Sequence, residues 1–131
     1  MDIRKSRSVK LGSRLDLKIK FLEPNFIESN LTDAFAQFID KTNTIECIES
    51  LNDEMIGKSV LHELIHAMLS EAHLTIDGQP LADDKDEESV VANLETQMWQ
   101  FFAHNPMELG LIFYSILKKN PDVTKAIGKI R

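Results

Sequence analysis

Val60-Leu61-His62-Glu63-Leu64-Ile65-His66-Ala67-Met68-Leu69 repeats its apolar side chains at steps of three and four residues, the period of a helix with one buried face. Asn52-Asp53 supplies capping side chains ahead of it, so the segment predicts a long helix. On that helix His62 and His66 lie one turn apart on the same face, close enough to ligate one ion. Glu63 follows the first histidine and can take a proton from a zinc-bound water, whose pKa the metal lowers to about 7. A His-Glu-x-x-His string arises by chance in roughly a few chains per thousand of this length, so its position in mid-helix adds weight to the metal reading.

Upstream, Leu15, Leu17, Ile19 and Phe21 alternate with Asp16, Lys18 and Lys20, the period-two pattern of a strand with one buried face. Glu23-Pro24-Asn25 ends it. Ala34 to Ile39 fits a second strand or a turn of helix, and Asp40-Lys41-Thr42-Asn43 has hairpin-turn chemistry. The β-branched stretch Thr44-Ile45-Glu46-Cys47-Ile48-Glu49 then reads as a strand antiparallel to its predecessor. The expected sheet is antiparallel, with about three strands.

Downstream, residues 74–86 lose periodicity and contain Asp77-Gly78 and Pro80, so they read as a mobile connection ending in helix-capping acids. A second helix buries Val90, Val91, Leu94, Met98, Phe101 and Phe102. Trp99 and the Phe101-Phe102 pair read as core. Asn105-Pro106 ends that helix, and Asn105 can cap a third one carrying Leu109, Leu111, Ile112, Ile116 and Leu117. Asn120-Pro121 stops the third, leaving 121–131 as a tail or short helix. The fold class expected is α+β: a small N-terminal sheet packed on two or three long helices, one domain over residues 1–131.

Length and composition fit that expectation. The chain has 131 residues, 43% hydrophobic and 27% charged, enough for one core without disulfide staples. Cys47 is the only cysteine, which excludes an internal disulfide and a zinc site built from several thiolates. No leader-like apolar stretch opens the sequence, and no run approaches the roughly 18 apolar residues of a membrane span, so the expected location is the cytoplasm. A net charge of −6 argues against a nucleic-acid partner, although residues 1–14 form a basic arm with Arg4, Lys5, Arg7, Lys10 and Arg14.

A catalytic zinc takes three protein ligands and leaves a fourth position open. His73 shares the stripe of His62 and His66, but on a continuing helix it lies about 10 Å further along the axis at 1.5 Å per residue. Between His66 and His73 there is no glycine to break the helix. Glu87-Glu88 opens the second helix, and helical phase directs Glu87 at the core with Glu88 a quarter turn away. A carboxylate aimed at a core needs a partner, which favours Glu87 as third ligand and keeps Glu88 as the substitute. His104 and Tyr114 are candidates for stabilising an oxyanion by their chemistry alone, and Cys47 is a candidate thiolate or a small buried hydrophobe.

Asn43-Thr44-Ile45-Glu46, Leu61 through Met68, Glu87-Glu88-Ser89-Val90-Val91 and Asn105-Pro106 together resemble small phage and prophage proteins of the HExxH type, distantly related to the ImmA/IrrE metallopeptidases. The resemblance spans roughly residues 34–106. It implies a gluzincin-like, zincin-fold peptidase in which His62, His66 and Glu87 or Glu88 hold zinc and Glu63 is the general base. Asn93 stands at a different offset from the family's asparagine and no helix-turn-helix extension is present, so a repressor-cleaving role is not implied. Two further readings compete with a peptidase acting on a protein or peptide: a non-catalytic zinc-stabilised interaction module of phage or prophage origin, and a metal-free helical adaptor.

Overall fold

The computed structural model describes residues 3–12, 14–23 and 35–119. These form two compact units, Arg4–Glu95 and one that begins at Thr96. The architecture is α+β, with four strands and three helices among the described residues. The strands are β1 (Arg7–Leu11), β2 (Arg14–Leu22), β3 (Ala36–Ile39) and β4 (Thr44–Ile48), in the sheet order β1-β2-β4-β3.

The sheet therefore has four strands, not three, and it is mixed: β2 pairs parallel with β4, while β1–β2 and β3–β4 are antiparallel. Alternation in a strand sets which face is buried and carries no information on the direction of the neighbour. The extra strand comes from the basic arm. Arg7–Leu11 pairs with β2 through a turn in which Gly12 has φ 56°, and its side chains stay mostly in solvent. A Cβ at Gly12 would stand 2.8 Å from the Glu71 carboxylate, so the turn is closed to larger residues by conformation and by space.

Leu17, Ile19 and Phe21 of β2 are buried while Asp16, Lys18 and Lys20 are exposed, as their alternation requires. In register, Ile19 faces Ile45 and Phe21 faces Cys47. Within the segment from Ala34 to Ile39, Ala36–Ile39 forms strand β3, whose Ala36 and Phe38 pair with Cys47 and Ile45 on that same face, and Ala34 lies outside the described residues. Between β3 and β4 the chain makes a 3-10 turn, Asp40–Thr42, closed by Asn43 in the left-handed conformation. β4 is central and buried on both faces, and its inward Glu46 accepts a hydrogen bond from Gln37 Nε2 at 3.1 Å.

Helix α1 (Asp53–Glu71) packs across β3 and β4 and contributes Ile56, Ile65 and Ala67 to the core. Asn52 caps it by accepting from the Met55 N–H at 2.9 Å. Arg4 secures the approach to that cap: Nε and Nη2 donate to the carbonyls of Glu49 and Leu51 at 2.9 and 2.6 Å, and Nη1 pairs with Asp53. At the other end the helix stops without a glycine. His73 takes φ 59°, its N–H donates to Ser70 O, and the Leu74 N–H donates to Leu69 O, the paired bonds of a Schellman cap. The helix thus ends just before His73 although no glycine lies between His66 and His73.

The 74–86 connection is knitted by its own backbone, with the Leu81 N–H donating to Leu74 O at 2.9 Å. Asp83 opens α2 (Asp84–His104) by accepting from the Lys85 N–H at 2.8 Å. Of the stripe expected to be buried on α2, Val91 is fully buried, whereas Leu94 and Phe101 are exposed. Asn105 turns its side chain back to Phe101 O instead of capping α3 (Pro106–Lys119), and Leu111, Ile112 and Ile116 are exposed. The Asn120-Pro121 stop and the 121–131 tail lie outside the described residues.

Replacing His73 by glycine removes the cost of a β-carbon in the left-handed region. His73→Gly is expected to stabilise the fold by about 0.5–1 kcal/mol, read as a higher midpoint in thermal or denaturant unfolding. A lower midpoint would show that the imidazole itself holds this helix end.

Candidate metal centre

Two helices and one strand of the Arg4–Glu95 unit bring the site together. The His62 and His66 rings, one turn apart on α1, have centroids 5.1 Å apart. Glu88, in the first turns of α2, reaches both: Oε1 lies 2.9 Å from His62 Nε2 and Oε2 lies 2.9 Å from His66 Nε2. The three residues place one donor atom each within 4.8 Å of the others. Donors around a tetrahedral zinc with bonds near 2 Å stand about 3.3 Å apart, so small side-chain adjustments accommodate the ion.

Glu87 occupies a different place. Its carboxylate is hydrogen-bonded to His66 Nδ1, the ring nitrogen that does not meet Glu88. Glu87 is the more buried of the pair, 19% exposed against 55% for Glu88, which agrees with its helical phase. Burial and convergence on the two Nε2 atoms have thus fallen to different neighbours. A histidine whose Nδ1 carries the proton presents a lone pair at Nε2, and a carboxylate 2.9 Å from that lone pair calls for a positive centre between them. A second proton or a metal ion would serve, and the His-His-Glu donor set is one that zinc accepts.

Glu63 is 6% exposed, and its Oε2 is a buried side-chain oxygen with no hydrogen-bond partner. The Phe38 backbone, on strand β3, lies near the same carboxyl. Burial pushes the Glu63 pKa up to about 7; His66 pulls it down, Glu88 pushes it up, the Phe38 amide lowers it and Glu87 raises it. A dication at the histidines would add a further pull downward.

A cleft of about 870 Å³ opens beside these groups, its lining including Phe35, Ala36 and Phe38 together with Met55, His62, Glu63 and His66 of α1 and Glu87, Glu88 and Glu95 of α2. Glu95 is the group that the sequence reading missed. Its Oε1 lies 3.8 Å from His62 Nδ1, and the available signal was its spacing of seven residues, two helical turns, from Glu88.

The remaining candidates fall elsewhere. His73 is exposed at the end of α1. His104 is exposed at the last position of α2, and Tyr114 on α3 has the Lys118 ammonium 5.5 Å from its ring; both belong to the unit that begins at Thr96. Cys47 is fully buried, and burial first, then the Glu63 charge, pushes its thiol up to about 11, against a weaker pull from Arg4. It stays a protonated hydrophobe.

No family model, curated protein or solved structure matches this chain.

Because its folded pKa lies above the ordinary 4.5, Glu63 keeps its proton longer in the folded than in the unfolded metal-free chain, so its contribution to stability falls as pH rises from 4.5 through 7. Glu63→Gln is expected to stabilise the chelator-treated protein above pH 7 by about 1–3 kcal/mol, the gap closing as pH falls toward 4.5. Chemical denaturation at several pH values measures it. A gap that widens toward acid pH contradicts the burial argument.

Proposed function

We propose that this protein is a zinc-dependent peptidase, with His62, His66 and Glu88 holding the ion and Glu63 acting as general base on a protein or peptide substrate. The observation that carries the reading is the convergence of both Nε2 atoms on one carboxylate, beside a buried glutamate oxygen that lacks a partner and at the wall of an open cleft. Zinc, when bound, acidifies water and polarises a carbonyl oxygen.

The protein's own groups supply the rest. Glu63 receives the proton of the attacking water and hands it to the departing amine, completing one hydrolysis without net change in the enzyme. Glu63 itself is buried, with the Phe38 backbone near it, while Phe35, Phe38 and Met55 give the cleft an apolar part. Among the described residues β3 is an edge strand of the sheet and lines the cleft, which suits an extended peptide laid alongside it as an added strand.

Metal analysis of the purified chain is expected to find one zinc, lost in His62→Ala, His66→Ala or Glu88→Ala. Glu63→Gln should retain zinc and lose about 100- to 10,000-fold of peptide hydrolysis, measured over a peptide library by mass spectrometry. Absence of zinc, or undiminished hydrolysis by Glu63→Gln, sinks the reading.

The exposed apolar side chains of α3, Met107, Leu111, Phe113 and Tyr114, favour a second reading, a zinc-stabilised module that binds a protein partner and cleaves nothing. Under it, chelation abolishes partner binding and no fragments form at any zinc occupancy.

A further inference from the structure

Each histidine of the centre has a carboxylate at both of its nitrogens. His66 meets Glu88 through Nε2 and Glu87 through Nδ1; His62 meets Glu88 through Nε2 and Glu95 through Nδ1. The arrangement follows from geometry along two helices. Histidines four residues apart on α1 occupy successive turns, and on α2 Glu95 follows Glu88 by two helical turns while Glu87 precedes it by a quarter turn, which brings one of them to each Nδ1.

We infer that Glu87 and Glu95 are positioning residues for the metal centre, Glu87 holding the Nδ1–H of His66 and Glu95 facing Nδ1 of His62, so that both Nε2 lone pairs face the ion. The inference rests on the zinc reading above. Burial supports it: the side chains of Glu87 and Glu95 are 19% and 21% exposed, less than half the exposure of Glu88, so both carboxylates sit where a fixed acceptor is worth most. A carboxylate at Nδ1 selects the tautomer, orients the ring and increases the basicity of Nε2. The two contacts are unequal. Glu87 makes a direct hydrogen bond to His66, whereas Glu95, at 3.8 Å, stands at ion-pair distance from His62. His66 is thus the more firmly oriented ligand.

The test is zinc affinity by competition with a chromogenic chelator, together with the visible spectrum of the cobalt-substituted full chain. Glu87→Ala is expected to weaken zinc binding about 10- to 100-fold and Glu95→Ala by less, both keeping the cobalt spectrum of a site with three protein ligands. Glu87→Gln, whose amide oxygen still accepts from Nδ1–H, should fall between the parent and Glu87→Ala. It carries the test where alanine disturbs folding. Parent-like affinity in Glu87→Ala and Glu95→Ala, or in Glu87→Gln if alanine does not fold, overturns the inference. So does a cobalt spectrum that loses a protein ligand in Glu87→Ala, because Glu87 would then be a ligand itself. A parent chain with no zinc affinity removes the metal reading as a whole, a result distinct from either.

Discussion

One carboxylate, that of Glu88, meets both imidazoles of α1, and the rest of the site is arranged around that meeting. A bidentate group spanning two side chains on successive turns fixes where α2 begins along α1. Asp83 starts α2 at the residue that puts Glu87 and Glu88 in its opening turns, where the helix dipole also favours negative charge. The Schellman cap at His73 and the Leu74–Leu81 backbone bond then set the course of the chain between the two helices.

Glu63 imposes the opposite demand. Burying a carboxylate with one oxygen unpartnered opposes folding, and the fold accepts that cost in α1, which packs on the sheet and lines the cleft. The Phe38 backbone of β3 lies near it. Such a conflict between local chemistry and stability is common where a side chain is retained for a reaction. The core pays elsewhere, through Leu17, Ile45, Cys47 and Val91, which are fully buried.

Much of this was legible in the sequence because it depends on short-range periodicity. The alternation in β2, the Asn52 cap and the pairing of His62 with His66 are all properties of adjacent turns or residues. Strand direction was not, since the parallel pairing of β2 with β4 depends on how the chain travels between them. Exposure on α2 and α3 was misread for a related reason: an apolar stripe identifies a face able to be buried, and Leu94 and Phe101 show that the face need not be covered. The choice between Glu87 and Glu88 turned on a distinction that phase cannot make, between pointing inward and reaching the Nε2 side of the rings. Glu95 had a readable spacing but no motif to draw attention to it.

The backbone bond between Leu74 and Leu81 has a consequence for the order of events during folding. His62, His66, Glu87, Glu88 and Glu95 lie on a helix–loop–helix stretch of contiguous chain, so gathering them closes only a short loop at little entropic cost. The setting of Glu63 instead requires β3, brought in from a sheet whose central strands pair across a long connection. On the zinc reading, a nascent helical hairpin can capture the ion before the sheet closes, while a competent base exists only after it does. Ion capture would then precede reactivity, and an incompletely folded chain would hold its metal without being able to cut its neighbours.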